Sequence, residues 1–311
     1  MNKDKLFLYA ANGNIKDAKK VIGDSVPVYS NDITKTTLLT ESVIHNQIDF
    51  VKFLIEQKVD INQYDGNGNT ALILAVKARN FEMIRLFLEN GVDVNLPDKN
   101  KLQSPLHFSC KSGISTSALM LLKAGADPNA LDIDGSTPLI CACISDFTIF
   151  VMLASTDKHL TSQLLKKLMT DSTNKDMEIF TMLLEHGAKI NIKNKYGITA
   201  LMIGCVFGKT HFVESLLKLG AGVDDCDNNG NTALMHSLNF YPDNFLNEYK
   251  PGDYLKESII KSRIPIIELL LNYNANIKHC SNNGDSISDI CLDLDIPEIK
   301  DMIKNKMFKI I

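Results

Sequence analysis

Ser104-Pro105-Leu106-His107, followed in the same unit by Gly125-Ala126-Asp127-Pro128-Asn129, is the clearest copy of a phrase that recurs along the chain. Its opening word returns as Thr37-Leu38-Leu39, Thr70-Ala71-Leu72, Thr137-Pro138-Leu139, Thr199-Ala200-Leu201 and Thr232-Ala233-Leu234. Successive anchors lie 33, 34, 33, 62 and 33 residues apart. The step of 62 divides into 29 and 33 if a degenerate unit opens near Lys166, and counting back 33 from Thr37 reaches Asp4-Lys5-Leu6. A fixed period of this size predicts a stack of helical units rather than one closed globule.

Each unit closes on a second word: Gly91-Val92-Asp93-Val94-Asn95, Gly187-Ala188-Lys189-Ile190-Asn191 and Gly220-Ala221-Gly222-Val223-Asp224 match the copy at Gly125. A turn precedes each anchor, as in Asp65-Gly66-Asn67-Gly68-Asn69 and Asp132-Ile133-Asp134-Gly135-Ser136, where Asp and Asn suit turn conformations and glycine supplies positive φ. The unit therefore reads turn, helix, short link, helix, loop. Pro105 and Pro138 sit at the first helical position, where proline is tolerated. The second helix carries the apolar spacing of a buried face, as in Ile84, Phe87 and Leu88, or Ile179, Met182 and Leu183. Helices this short do not stand alone, so each must bury its stripe against the neighbouring unit.

These words resemble the Thr-Pro-Leu-His-x-Ala and Gly-Ala-Asp-x-Asn marks of the ankyrin repeat, and the resemblance covers nearly the whole chain. It implies an all-α solenoid of about nine helix-pair units with β-hairpin fingers standing beside a concave groove. The units open near residues 4, 37, 70, 104, 137, 166, 199, 232 and 286, within a single domain spanning 1–311 and capped by 286–311. The resemblance also implies that positions around the turn and after the first-helix alanine face a partner. Carried onto this chain, these include Tyr64, Lys77, Leu102, Lys111, Leu131, Ile133, Ile144, Tyr196, Ile198, Val206 and Phe207. Apolar residues at projecting positions mark interaction surfaces, and Leu131, Ile133, Ile144, Tyr196, Ile198, Val206 and Phe207 are expected to form one patch. The competing reading is that fingers pack on one another and bury part of it. His107 is expected to be a buried hydrogen-bonding residue tying adjacent turns rather than a base.

Two places break the count. After the fifth anchor the closing word is missing, and Leu164–Met169 reads as the first helix of an early sixth unit, with the intervening finger shortened or lost. In the eighth unit the first helix opens at Thr232, but the second appears only at Pro265-Ile266-Ile267, which places an insertion over 240–260. That insertion carries Tyr241, Phe245, Tyr249 and Tyr254. Insertions in repeat proteins emerge on one face, often the binding face, and aromatic rings are strong contact residues. The alternative is that these rings hold the loop against the stack.

Bulk properties bound the function. The chain has 311 residues, 45% hydrophobic, with a net charge of −4. That balance argues against a general nucleic-acid or membrane-surface binder, and no run of basic residues interrupts it. No signal peptide or membrane-spanning stretch is read in the sequence. The odd count of seven cysteines, widely spaced, reads as reduced thiols in a cytoplasmic protein. Cys141 and Cys143 point to different sides of a helix, so core packing is expected rather than a metal site. No nucleotide loop, metalloprotease helix or nucleophile elbow is present, so no catalytic, cofactor or metal residues are assigned.

The expected function is a non-catalytic scaffold, monomeric, that binds one or more partner proteins through groove and fingers. The Asn-, Lys- and Ile-rich composition accompanies A+T-rich genomes and points to a pathogen or viral protein acting on a factor in the host cytosol. The alternative is a ligand sensor holding a nucleotide or oligonucleotide near Tyr196, Lys193 and Lys195, although few basic residues converge there.

Overall fold

A computed structural model describes residues 3–22, 35–144, 177–238, 261, 263–293 and 296–308. Among these residues there is no strand, and the chain is a succession of short helices in pairs. The first helices of the pairs are Lys3–Asn12, Leu38–Ile44, Ala71–Lys77, Pro105–Lys111, Pro138–Ile144, Ala200–Val206, Ala233–Leu238 and Ile287–Asp293, and each packs on the next. The second helices include Ile48–Glu56, Phe81–Glu89, Ser115–Lys123, a helix over 177–185, Thr210–Lys218 and Ile264–Asn272.

The anchors act as caps. The Thr70 hydroxyl accepts from the amide of Ile73 at 3.2 Å, and Thr199 does the same for Met202 at 3.3 Å. Each such cap satisfies one of the free amides of the first turn, a contribution of about 1 kcal/mol. At the other end, Gly91 (φ 75°) and Gly125 (φ 89°) terminate the second helices. The amides of Val92 and Ala126 return to the carbonyls of Phe87 and Leu121, the closing bonds of a Schellman turn. Between these ends the apolar stripes meet in one continuous core that includes Leu72, Leu106, Leu139, Leu201 and Leu234 from the first helices. Phe180 and Phe212, from successive second helices, meet edge to face at 4.7 Å.

The expected β-hairpin fingers take a tighter form. In the central fingers the leading Asp or Asn folds the chain around its own side chain. Asp65 Oδ1 accepts from the amides of Asn67 and Asn69, Asp132 Oδ1 from Asp134 and Ser136, and Asn194 Oδ1 from Tyr196 and Ile198. These local bonds, with two main-chain bonds closing each of these loops (the Asp132 amide to the Ser136 carbonyl at 3.0 Å and the Gly135 amide to the Asp132 carbonyl at 2.9 Å), take the amides that a strand ladder would need. Antiparallel bridges pair Cys226 with Thr232 and Cys280 with Ser286.

Main-chain bonds join finger to finger: Gly66 to Lys35, Lys99 to Gly68, Ile133 to Lys101, Lys195 to Asp134, Asn228 to Tyr196 and Asn282 to Asn229, at 2.6–2.9 Å. A second ladder runs through the closing words. Asn95 Oδ1 accepts from the amide of Asp127, and Asn129 Oδ1 accepts from Lys189 while its amide group donates to the Gly187 carbonyl.

Both ladders correct the unit count. The finger at Asp132 bonds directly to the finger at Asn194, and helix Pro138–Ile144 packs directly on Ala200–Val206. No unit opening near Lys166 is interposed in the stack, which has eight helix pairs among the described residues rather than nine. The loop after helix 177–185 occupies the place of the fifth unit's closing word, so the long step is absorbed inside the unit that opens at Thr137. Residues 145–176, including the segment read as an early first helix, lie outside the described residues, as does the insertion read over 240–260.

Candidate partner interface

The fingers project three large apolar side chains from neighbouring loops. Leu102, Ile133 and Tyr196 are 45%, 41% and 44% exposed, and Leu131, at the base of the same central finger as Ile133, is 55% exposed. Their adjacency follows from the ladder, since the Ile133 amide donates to the Lys101 carbonyl at 2.7 Å and the Lys195 amide to Asp134 at 2.8 Å. The Tyr196 hydroxyl reaches Asp134 at 3.4 Å, which leans its ring toward the Ile133 finger. On either side the tips turn polar, with Gly66 and Asn67 before the run and Asn228 and Asn229 after it. The apolar run is therefore confined to three consecutive fingers.

Leu102 carries a further signature. The step of 34 into Ser104 adds one residue to this finger, and Leu102 takes φ 53°, a conformation that bulky L-residues rarely adopt. The corresponding loops use Gly68 at φ 79° and Gly135 at φ 74°. Strain at an exposed leucine is the kind of departure that accumulates at binding sites.

Other expected contact residues stand elsewhere. Ile198 and Phe207 are buried within the stack, as is Val206, so these three do not join the surface patch. Ile198 lies at the end of its finger, where its amide and carbonyl close the turn on Asn194 and its side chain points into the core. Ile144 is half-buried against the core. Tyr64 is half-buried too, its hydroxyl donating to the Pro97 carbonyl at 2.9 Å while the Lys99 ammonium lies 4.4 Å over its ring. Tyr241, Phe245, Tyr249 and Tyr254 lie outside the described residues.

The structure adds groups that the sequence reading passed over. Ile44, at the end of helix Leu38–Ile44, is 53% exposed. It holds the same place in its unit as Lys77 and Lys111, seven residues past the anchor, so the repeat register itself was the available signal. Lys77 reaches across the groove, donating to Asn69 at 2.8 Å and lying 4.2 Å over the ring of Phe108 in the next unit. Partial burial of Lys77 lowers its pKa, against the attraction of Asp98 and Asp65.

The two buried histidines among the described residues, His107 and His236, are held by structural bonds. His107 is buried, with Nε2 3.0 Å from the Ser136 carbonyl and Nδ1 2.8 Å from the Ser104 hydroxyl. It ties its own anchor to the next finger, as expected for this position. His236 bonds Asp227 at 3.0 Å. Burial raises the pKa of Asp227, but bonds from His236 and Asn231 outweigh it and the net direction is down. Cys141 and Cys143 are buried in the core, and burial pushes the Cys141 thiol up to about 12. No group of three or more metal-ligating side chains occurs among the described residues. Lys193, named with Tyr196 and Lys195 for a nucleotide, instead pairs with Asp225 at 3.2 Å and with the Cys226 carbonyl, one finger away from Tyr196. No helix among the described residues is long and apolar enough to cross a membrane.

A family model for ankyrin repeats matches residues 6–98 and 168–247. The chain is 30% identical to an ankyrin repeat domain-containing protein, SAT10, of Stachybotrys chartarum, over 65% of this chain and 11% of that protein. It is 24% identical to a putative ankyrin repeat protein, L371, of Acanthamoeba polyphaga mimivirus, over 83% of this chain and 32% of the relative. With a putative ankyrin repeat protein of Escherichia coli, YahD, it shares 30% identity over 56% of this chain and 91% of the relative. The chain thus spans well under two thirds of the first two relatives.

Proposed function

The chain belongs to the ankyrin repeat family, and on that premise we propose that it is a non-catalytic scaffold binding a partner protein through its fingertips and concave groove. Ankyrin repeats mediate protein–protein contact, and such a stack presents an extended surface rather than a catalytic cleft. The observation that carries the reading is the exposed run of Leu102, Leu131, Ile133 and Tyr196 on otherwise polar fingers. Solvated turns favour polar residues, and contiguous apolar groups at projecting tips are what a partner covers. A buried cluster of this kind, rimmed by polar groups, supplies most of the energy of an interface. Monomeric state and action on a host factor in the host cytosol are part of the same reading. Its support is the composition and the similarity to a viral ankyrin repeat protein.

The test is quantitative affinity capture with the intact chain and with an Ile133→Ser, Tyr196→Ser double variant. A partner recovered stoichiometrically by the wild type, and at least tenfold less by a variant with an unchanged melting curve, supports the assignment. Equal recovery by both would move the interface away from these fingers.

A further inference from the structure

The fold brings six lysines together on the face that carries the apolar fingertips, and exposed cations also occur on the second helices, as at Lys52, Arg85, Lys123 and Lys218. Lys35, Lys99, Lys101 and Lys195 stand on fingers joined directly by the main-chain ladder, and Lys77 and Lys111 end the first helices beside them. All six have exposed side chains, Lys77 with its ammonium partly shielded against Phe108 and Asn69. Apart from Lys99 and Lys101, these residues are well separated in a sequence whose net charge is −4, so no basic run announces them. The carboxylates of the same fingers behave differently. Asp65, Asp98 and Asp132 are buried, with their oxygens turned inward onto the amides of their own turns. Asp134 is the exposed carboxylate among these tips. Exposed acids such as Glu56, Glu82, Glu89 and Glu185 are carried instead on the second helices.

The alternation has a local cause. The first position of the central fingers must accept amide protons, so it is Asp or Asn and faces in. The next positions have no such duty and face out. In the central fingers they are filled by Lys99, Lys101, Ile133, Lys195 and Tyr196. A ligand laid along the tips therefore meets aliphatic and aromatic surface flanked by ammonium groups.

We infer that the partner segment seated on this ridge is an acidic stretch of protein, carrying Asp or Glu beside Leu, Ile or Phe side chains. The inference rests on the fingertips being the partner-binding surface, as proposed above. The apolar groups Leu102, Leu131 and Ile133 favour protein over nucleic acid. Single-strand binding relies on stacked aromatic rings, and Tyr196 is the one ring exposed on these three tips. The inward carboxylates offset the lysines at long range. The lysines therefore act at contact, excluding basic partners and slowing release, more than by steering approach.

The probe is a random twelve-residue peptide library selected on the immobilised intact chain, with a twelve-nucleotide polyuridine strand measured alongside. The expected result is enrichment of Asp and Glu next to large apolar residues. The best peptide should bind at least tenfold more weakly to a Lys99→Glu, Lys101→Glu, Lys195→Glu variant and to Ile133→Ser, Tyr196→Ser. Its affinity should be unchanged by Lys218→Glu on a second helix. Peptides that lose binding to the apolar variant but show no acidic enrichment and ignore charge reversal would overturn the acidic partner and leave the fingertip interface standing. Peptides indifferent to both variants, or a library yielding no binder, would count against both. Polyuridine binding more tightly than the best peptide, and lost on charge reversal, would replace the acidic protein with nucleic acid.

Discussion

His107 illustrates how one side chain can be fixed by two neighbours. A carbonyl only accepts, so the bond to Ser136 requires the proton on Nε2, and Nδ1 must then accept from Ser104. The ring is neutral in the fold, and burial lowers its pKa from the ordinary 6.5. Below about that value the unfolded chain takes up a proton that the folded ring resists, so stability falls as pH falls. Melting temperatures measured from pH 7 to pH 5 are expected to drop less steeply in His107→Gln than in the wild type. An equal slope in both would show that His107 is not the group responsible. The sequence made this residue legible as a structural tie, because its place in the phrase fixes its neighbours. The orientation of Ile198 and Phe207 was not legible, because a projecting position in one unit becomes a buried one when the next unit covers it.

The fingers are the elements where local chemistry and function pull apart. A leucine at φ 53° costs roughly 1–2 kcal/mol relative to an unstrained residue, whereas glycine takes that conformation freely. Leu102→Gly is therefore expected to raise the unfolding free energy measured by urea titration slightly, by about 0.5–1 kcal/mol after the added flexibility of the unfolded chain is counted. The same change should weaken partner capture. Lower stability would show that the leucine side chain holds its finger in place. The helices and turns were legible at this scale because caps, turn residues and apolar spacing each repeat. The form of the fingers was not, because an Asp that caps its own turn and a residue that opens a hairpin look alike in sequence. The step of 62 misled for a related reason: arithmetic cannot distinguish an extra unit from extra residues between two helices of one unit, whereas the bonds from Lys195 to Asp134 and from Asn129 to Gly187 decide it.

For the molecule as a whole, the stack depends on each unit covering the next, so the order of units is a mechanical statement. Replacing residues 145–176 by the three-residue link of the third unit, Ala78-Arg79-Asn80, joins helix Pro138–Ile144 to helix 177–185 in the regular way. The shortened chain is expected to keep its helical circular dichroism and a single cooperative melt. Loss of that melt would show that the excised residues complete the stack. The same continuity sets the partner surface, since apolar tips and lysines from distant parts of the sequence meet only when the fingers align. The most direct test is side-chain footprinting by hydroxyl radicals, with and without the captured partner. Leu102, Leu131, Ile133 and Tyr196 are predicted to lose reactivity in the complex, while Leu219 and Tyr273, exposed at the ends of second helices, stay reactive. Protection of Leu219 and Tyr273 with the four fingertip residues unchanged would contradict the account.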